Sequence, residues 1–221
     1  MPPRKRNYRK KSKRRNYRKK KSGLVVPRGM PKTGRAKLSY CENSNVSGTS
    51  GNLGSVLWRA NGAFDPRYAA GGHAPYGYDQ WTALFNHYVV VGSRITVKFR
   101  PTADTPNQIC GISLLPDTTI PYSVYTTFIE SNPNSRYVML NDSERYKKLS
   151  CNFSAKKFFN CTNVKDRVET IGAGVASTPT DEAFFCVWSQ SQDITTSHTT
   201  NTLVTIEYII DFSEPKMLVE S

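Results

Sequence analysis

Residues 87–101 read HYVVVGSRITVKFRP, and this stretch decides the fold class of the chain. From Ile95 to Arg100 apolar and polar residues alternate strictly, so successive side chains point to opposite faces of an extended backbone. The preceding residues 88–91 are aromatic or β-branched, which favours the same conformation. The stretch therefore predicts a β-strand with one face against a core and one face in water.

Six further stretches are rich in β-branched and aromatic residues and are separated by turns rich in Pro and Asn. They lie at residues 55–60, 108–116, 136–140, 148–155, 183–191 and 202–212. Residues 43–55 are small and polar and are interpreted as a loop, and residues 78–85 are the only helical candidate of note. Several loops exceed a dozen residues, which is too long for a meander of hairpins. The pattern predicts an all-β fold, a single jelly roll: an eight-stranded antiparallel β-sandwich with long loops.

The positive charge of the chain is concentrated at its N-terminus. Residues 1–41 contain seventeen of the 31 Lys and Arg residues and no Asp or Glu, whereas residues 42–221 contain fourteen Lys and Arg against seventeen Asp and Glu. The N-terminal part has no apolar stripe, and its charges repel one another. We therefore predict a disordered basic arm and linker over residues 1–41 and a jelly-roll domain over residues 42–221.

The arm has the composition of a nucleic-acid-binding segment. The hexapeptide RNYRKK occurs at residues 6–11 and again at residues 15–20. Lys and Arg neutralise phosphates, and the two tyrosines offer flat faces to unpaired bases. The alternatives are a solubilising tail and a site for heparin-like polyanions. The residues predicted to bind nucleic acid and to act as a nuclear localisation signal are Arg4, Lys5, Arg6, Tyr8, Arg9, Lys10, Lys11, Lys13, Arg14, Arg15, Tyr17, Arg18, Lys19, Lys20 and Lys21.

The sequence contains no catalytic or metal-binding constellation. The histidines at 73, 87 and 198 lie in no ligand spacing, and no nucleophile elbow, Walker loop or dinucleotide fingerprint is present. The five cysteines form no C-x-x-C pair, and Cys110 and Cys186 are expected to be buried, inert thiols. The sequence contains no run of eighteen apolar residues, so no membrane-spanning helix is predicted. We therefore predict no enzymatic activity, no cofactor, no metal and no membrane insertion.

Residues 77–101, GYDQWTALFNHYVVVGSRITVKFRP, resemble a segment of the capsid proteins of circovirus-like small circular single-stranded DNA viruses. On a short helix Trp81 and Phe85 would share a face at i, i+4, and Asp79 could cap the first turn. Packing within the subunit and contact with a neighbouring subunit both remain open as the role of this motif. Its residues are Tyr78, Asp79, Gln80, Trp81, Phe85, His87 and Tyr88.

The resemblance implies a subunit of an icosahedral T=1 shell, located in the virion and the host nucleus. The arms would bind viral single-stranded DNA without sequence preference and would recruit host nuclear import receptors. Host cell-surface polyanions are a further candidate partner. The alternatives are a non-viral nucleic-acid-binding protein and the capsid of a small RNA virus.

Three basic residues of the opening stretch lie on the polar face of its predicted strand: Arg94, Lys98 and Arg100. They either contact nucleic acid or are simply solvated.

Overall fold

The computed structural model describes residues 31–102, 107–141, 146–193 and 195–217. The strands in these ranges are β1 Thr33–Gly48, β2 Gly54–Arg59, β3 Phe85–Pro101, β4 Gln108–Leu115, β5 Arg136–Leu140, β6 Lys147–Ser154, β7 Gly172–Gly174, β8 Phe184–Ser191 and β9 His198–Pro215. The helices are short: α1 Tyr78–Thr82, α2 Tyr125–Ser131, α3 Ala155–Phe158, α4 Val168–Ile171 and a 3-10 turn at Val164–Arg167. None of these helices is long and apolar enough to cross a membrane.

The strands form two antiparallel sheets whose order defines the topology. The first sheet has the order β1-β9-β3-β6, with the three-residue β7 beside β3, and the second has the order β2-β8-β4-β5. Apart from β7, consecutive strands alternate between the sheets except at the β4–β5 pair. Eight strands connected in this way form two interlocked Greek keys, which is a jelly roll. The predicted fold class is confirmed.

The core lies between the inner faces of the two sheets. Strand β3 runs antiparallel to β9 along nearly its whole length, and Ile95, Val97 and Phe99 are fully buried as the alternation predicted. Strand β9 contributes Val204, Ile206 and other alternate residues to the same layer. On the opposite face of the first sheet, alternate residues of β3 such as Arg94, Lys98 and Arg100 are exposed.

Strand β8 of the second sheet, in contrast, is covered on both faces. Every residue of β8 is buried, because helix α2 packs on the side away from the core. The ring of Phe128 on this helix meets Trp188 of β8 edge-on, with centroids 5.7 Å apart. The indole N–H of Trp188 donates to Ser113 Oγ at 3.0 Å. This helix had not been predicted from the sequence.

The structure corrects the predicted start of the folded domain. Strand β1 begins at Thr33, so the boundary between residues 41 and 42 falls inside a strand and residues 33–41 belong to the sheet. The predicted loop at residues 43–55 likewise contains the end of β1 and the start of β2. Both errors have one cause. The outward-facing residues of β1 are charged or small, so the alternation of buried and exposed residues along this strand is hard to recognise in the sequence. The predicted disorder of residues 1–30 lies outside the described residues.

The short helix is also corrected. Helix α1 ends at Thr82, and Phe85 already belongs to β3. Asp79 does not cap the helix with its side chain; the N-cap position is Gly77, whose positive φ of 85° suits glycine. Each of the seven predicted strands overlaps an observed strand.

Candidate nucleic-acid interface

The predicted functional residues fall into two groups with different outcomes. The arm residues from Arg4 to Lys21 lie outside the described residues. The motif at residues 78–88 is described throughout, and it joins helix α1 to the start of β3.

The aromatic residues of the motif pack inside the subunit. The ring of Trp81 stacks on Phe212 of β9 with centroids 5.2 Å apart and planes 10° from parallel, and it lies 6.1 Å from the ring of Phe85. Gly34 of β1 passes directly beneath, because a Cβ there would stand only 2.4 Å from the indole of Trp81. These contacts tie helix α1 to strands β1, β3 and β9.

Two tyrosines of the motif are buried beside this stack and anchor a loop. Tyr78 and Tyr88 meet edge-on, with centroids 5.8 Å apart. Their hydroxyls donate to the carbonyls of Val175 and Ser177 at 3.0 and 3.1 Å. Burial raises the pKa of both phenols, so both stay neutral donors.

The polar residues of the motif lie at the surface. Asp79 and Gln80 are exposed, and the side chain of His87 is 41% exposed with its Nδ1 3.2 Å from a carboxylate oxygen of Glu214. The structure thus brings the aromatic residues together in the subunit core and leaves three polar residues available at its surface. A role of these polar residues in assembly remains a prediction.

The water-facing side of the first sheet has its carboxylates at one end. Arg35 of β1 donates to Asp211 at 2.5 Å, and Lys37 lies 2.7 Å from Glu207. The Asp211 carboxylate raises the pKa of the Arg35 guanidinium, chiefly through their hydrogen bond. The two basic side chains at this end are therefore neutralised within the sheet.

The other end of the same face carries basic residues without such partners. Lys98 of β3 is in register with Lys148 of β6, and Arg100 is in register with Asn201 of β9. Within the part of the chain that the structure describes, no carboxylate pairs with Lys98, Arg100 or Lys148. Among the described residues, this end therefore carries basic side chains that form no ion pair.

A groove of about 730 Å³ crosses the sheet at this basic end. The Nζ of Lys98 stands 5.7 Å from the ring centroid of Tyr146, and this ring is 56% exposed. The described residues that line the groove include no Asp or Glu. They are Asn43, Asn45, Lys98, Arg100, Tyr146, Asn201, Thr202 and Leu203.

This combination of groups has the chemistry of a single-strand nucleic-acid site. Ammonium and guanidinium groups bind phosphates, and an exposed phenol ring offers a stacking surface. The predictions for Arg94, Lys98 and Arg100 placed them correctly on an exposed face. Tyr146, Lys148 and the asparagines were missed, because only the register between distant strands brings them beside Lys98.

The described residues show no candidate metal site and no disulfide. Among them no group of three or more His, Cys, Asp or Glu side chains could hold a metal ion. All five cysteines are free thiols, and Cys110 and Cys186 are fully buried as predicted. Burial raises the pKa of Cys110 to about 12, which keeps this thiol protonated.

No protein-family model matches the chain, and no curated protein is similar to it in sequence. Solved structures that are similar to it include the BFDV capsid protein as a 60-mer, with 11% identity, 86% of this chain and 97% of that chain covered, and a TM-score of 0.47. The structure of cocksfoot mottle virus is 14% identical, with 83% of this chain and 94% of that chain covered and a TM-score of 0.48. The structure of mud crab tombus-like virus is 11% identical, with 99% of this chain and 95% of that chain covered and a TM-score of 0.48.

Proposed function

We propose that this chain is a viral capsid protein that self-assembles into an icosahedral T=1 shell and packages single-stranded DNA through its basic N-terminal arm. The observation that carries the proposal is that one chain joins a jelly-roll domain to a strongly basic N-terminal segment. A complete jelly roll begins at Thr33, and the residues before it carry unopposed positive charge. Jelly rolls serve as capsid subunits, lectins and cupins, and the arm favours the first of these.

The arm supplies affinity without sequence reading. Each Lys or Arg that neutralises a phosphate releases a counterion, so binding should weaken steeply with salt. A shell of sixty subunits displays many arms at once, so each arm can bind weakly and the whole can still hold a genome. Tyr8 and Tyr17 support a single-stranded ligand, because a duplex hides the faces of its bases.

The folded body suits a structural role. Residues 33–221 contain sixteen Lys and Arg against seventeen Asp and Glu, so the body is nearly neutral and the excess positive charge that binds the genome is concentrated in the arms. The long pairing of β3 with β9 and the doubly covered β8 make a rigid block that can repeat in a lattice.

Nuclear import is part of the same proposal. The Lys- and Arg-rich arm has the composition of a nuclear localisation signal. A single-stranded DNA genome that is copied in the host nucleus would require its capsid protein there. The import receptors of the host are then the first partners of the new subunit, and the virion is its final location.

Assembly of purified full-length protein with a circular single-stranded DNA tests the proposal. We expect uniform spherical particles in negative-stain micrographs and nucleic acid that survives added DNase until the particles are opened. Protected nucleic acid that is sensitive only to RNase, from particles formed in cells, would favour the RNA-virus alternative. A protein that binds DNA but stays monomeric would favour a non-viral binding protein.

A further inference from the structure

We propose that the groove at the basic end of the first sheet is a second nucleic-acid site, which binds an unpaired nucleotide by stacking its base on Tyr146. This inference rests on the proposed function and extends it from the arm to the folded body. The groove is formed by β1, β3 and β9 together with Tyr146, which lies just before β6.

The charge distribution indicates an anionic ligand. Lys98 and Arg100 line the groove, Lys148 is in register beside Lys98, and no carboxylate is among the described lining residues. The facing ammonium groups of Lys98 and Lys148 repel each other and destabilise the sheet, because like charges on directly opposite residues are unfavourable. A bound phosphate between them would remove this cost.

The aromatic ring indicates a base rather than a simple anion. Tyr146 is 56% exposed although its ring is held beside the ammonium of Lys98. A base stacked on the open face of this ring would lie within reach of the cation, so that its phosphate and its ring could be bound together.

The amides of the groove complete the chemistry. Asn45 of β1 is in register with Asn201 of β9, which is in register with Arg100 of β3. Asn43 lies two residues along the same face of β1. Within the described part of the chain, no hydrogen bond engages the side chains of these three asparagines, and each can donate to and accept from a base edge or a sugar.

Photocrosslinking of the full-length chain tests the site. The probe is an oligothymidylate of about eight nucleotides with one 5-iodouracil, a length within the range that one site covers. After irradiation and digestion, mass spectrometry identifies the crosslinked residues. We expect a crosslink at Tyr146 and none at Tyr76, which is 94% exposed but lies away from the groove.

Charge-matched variants test the role of the cations. Lys98→Gln with Arg100→Gln should reduce the yield at Tyr146 at least about fivefold, because two phosphate contacts are lost. Lys156→Gln with Lys157→Gln removes the same charge from exposed positions of α3 and should leave the yield unchanged. Equal yields in the two double variants, or no crosslink at Tyr146, would overturn the proposal.

Stacking is tested by binding of the same oligonucleotide at a salt concentration that suppresses the arm. Tyr146→Phe should bind as the parent does, and Tyr146→Leu should bind roughly tenfold more weakly, as expected for loss of one stacked base. The proposal fails if Tyr146→Leu binds the oligonucleotide as tightly as the parent protein does and a heparin fragment displaces the bound oligonucleotide. The groove would then be a general polyanion site.

The outcomes separate this proposal from the function on which it rests. Particles that protect DNA but show crosslinks only in the arm would overturn the groove site alone. Crosslinks at Tyr146 in a protein that never forms particles would support the groove and contradict the shell.

Discussion

The indole of Trp81 lies flat against the ring of Phe212, with ring centroids 5.2 Å apart and planes 10° from parallel. Trp81 belongs to helix α1 and Phe212 to the last long strand, so the stack joins residues that are far apart in the chain. Phe85 and Gly34 complete the contact from β3 and β1. The motif that suggested a viral family is therefore, in its aromatic part, a packing device of the subunit.

Replacing Trp81 with alanine should destabilise the subunit by about 2 kcal/mol, since the indole is partly buried and its loss leaves Phe212 and Phe85 without their neighbour. Denaturant unfolding of the unassembled protein measures the effect. The control is Gln80→Ala on the same helix, an exposed position where the change should stay within about 0.5 kcal/mol. Equal midpoints for the two variants would show that the stack contributes nothing.

Two N-terminal truncations should behave differently. Removal of residues 1–30 should leave the stability of the body unchanged while it abolishes DNA packaging, because β1 begins at Thr33. Removal of residues 1–38 also takes away the buried Ala36 and Leu38 and should cost at least about 2 kcal/mol. Thermal melts of the two proteins make the comparison. If both melt alike, the start of β1 is not part of the stable fold.

The sequence was informative where one strand carried its own alternation. The alternation of Ile95, Val97 and Phe99 with polar residues was enough to predict β3. All three are buried because every second side chain of a pleated strand points to the same face of the sheet. Strand β1 was hidden because its outward residues, such as Arg35 and Lys37, continue the basic composition of the preceding residues. A local pattern cannot separate a charged strand face from a charged linker when few apolar residues lie between.

The groove was beyond the reach of sequence reasoning for a different reason. Lys98 and Lys148 are fifty positions apart, and they meet only because β6 pairs with β3. Asn45 and Asn201 are brought together by the pairing of β1 with β9. Such neighbours depend on sheet order and register, which the composition of single strands does not determine.

Stability should fall in mild acid because of His198. This histidine is 3% exposed; its Nε2 lies 2.9 Å from the carbonyl of Ser189, and its Nδ1 has no partner among the described residues. Burial lowers its pKa from 6.5, so the folded state favours the neutral ring. The unfolded chain therefore takes up the proton first, and stability is lost as the pH falls through 6.5 towards the lower folded pKa.

Unfolding free energies at about pH 7.5 and pH 5.5 measure this dependence. His198→Gln should flatten the change between the two pH values. His73→Gln, which alters an exposed histidine, should retain the change of the parent protein. A parent-like pH dependence in His198→Gln would show that another group is responsible.

The thiols should differ widely in reactivity. Cys41 is exposed on β1, whereas Cys110 and Cys186 are fully buried, and burial raises the pKa of both buried thiols. A disulfide reagent should modify Cys41 rapidly in the native subunit and should reach Cys110 and Cys186 only after unfolding. Cys41→Ser should remove the fast phase. Rapid labelling of Cys186 in the native protein would contradict the packed core around β8.

The most direct test of the capsid proposal compares the full-length chain with the chain lacking residues 1–30, each incubated with circular single-stranded DNA and measured by light scattering and negative-stain microscopy. For the full-length chain we expect uniform shells of sixty subunits that protect the DNA from nuclease. For the truncated chain we expect a folded protein that protects none. A full-length protein that stays monomeric at every salt concentration, with and without DNA, would contradict the proposal.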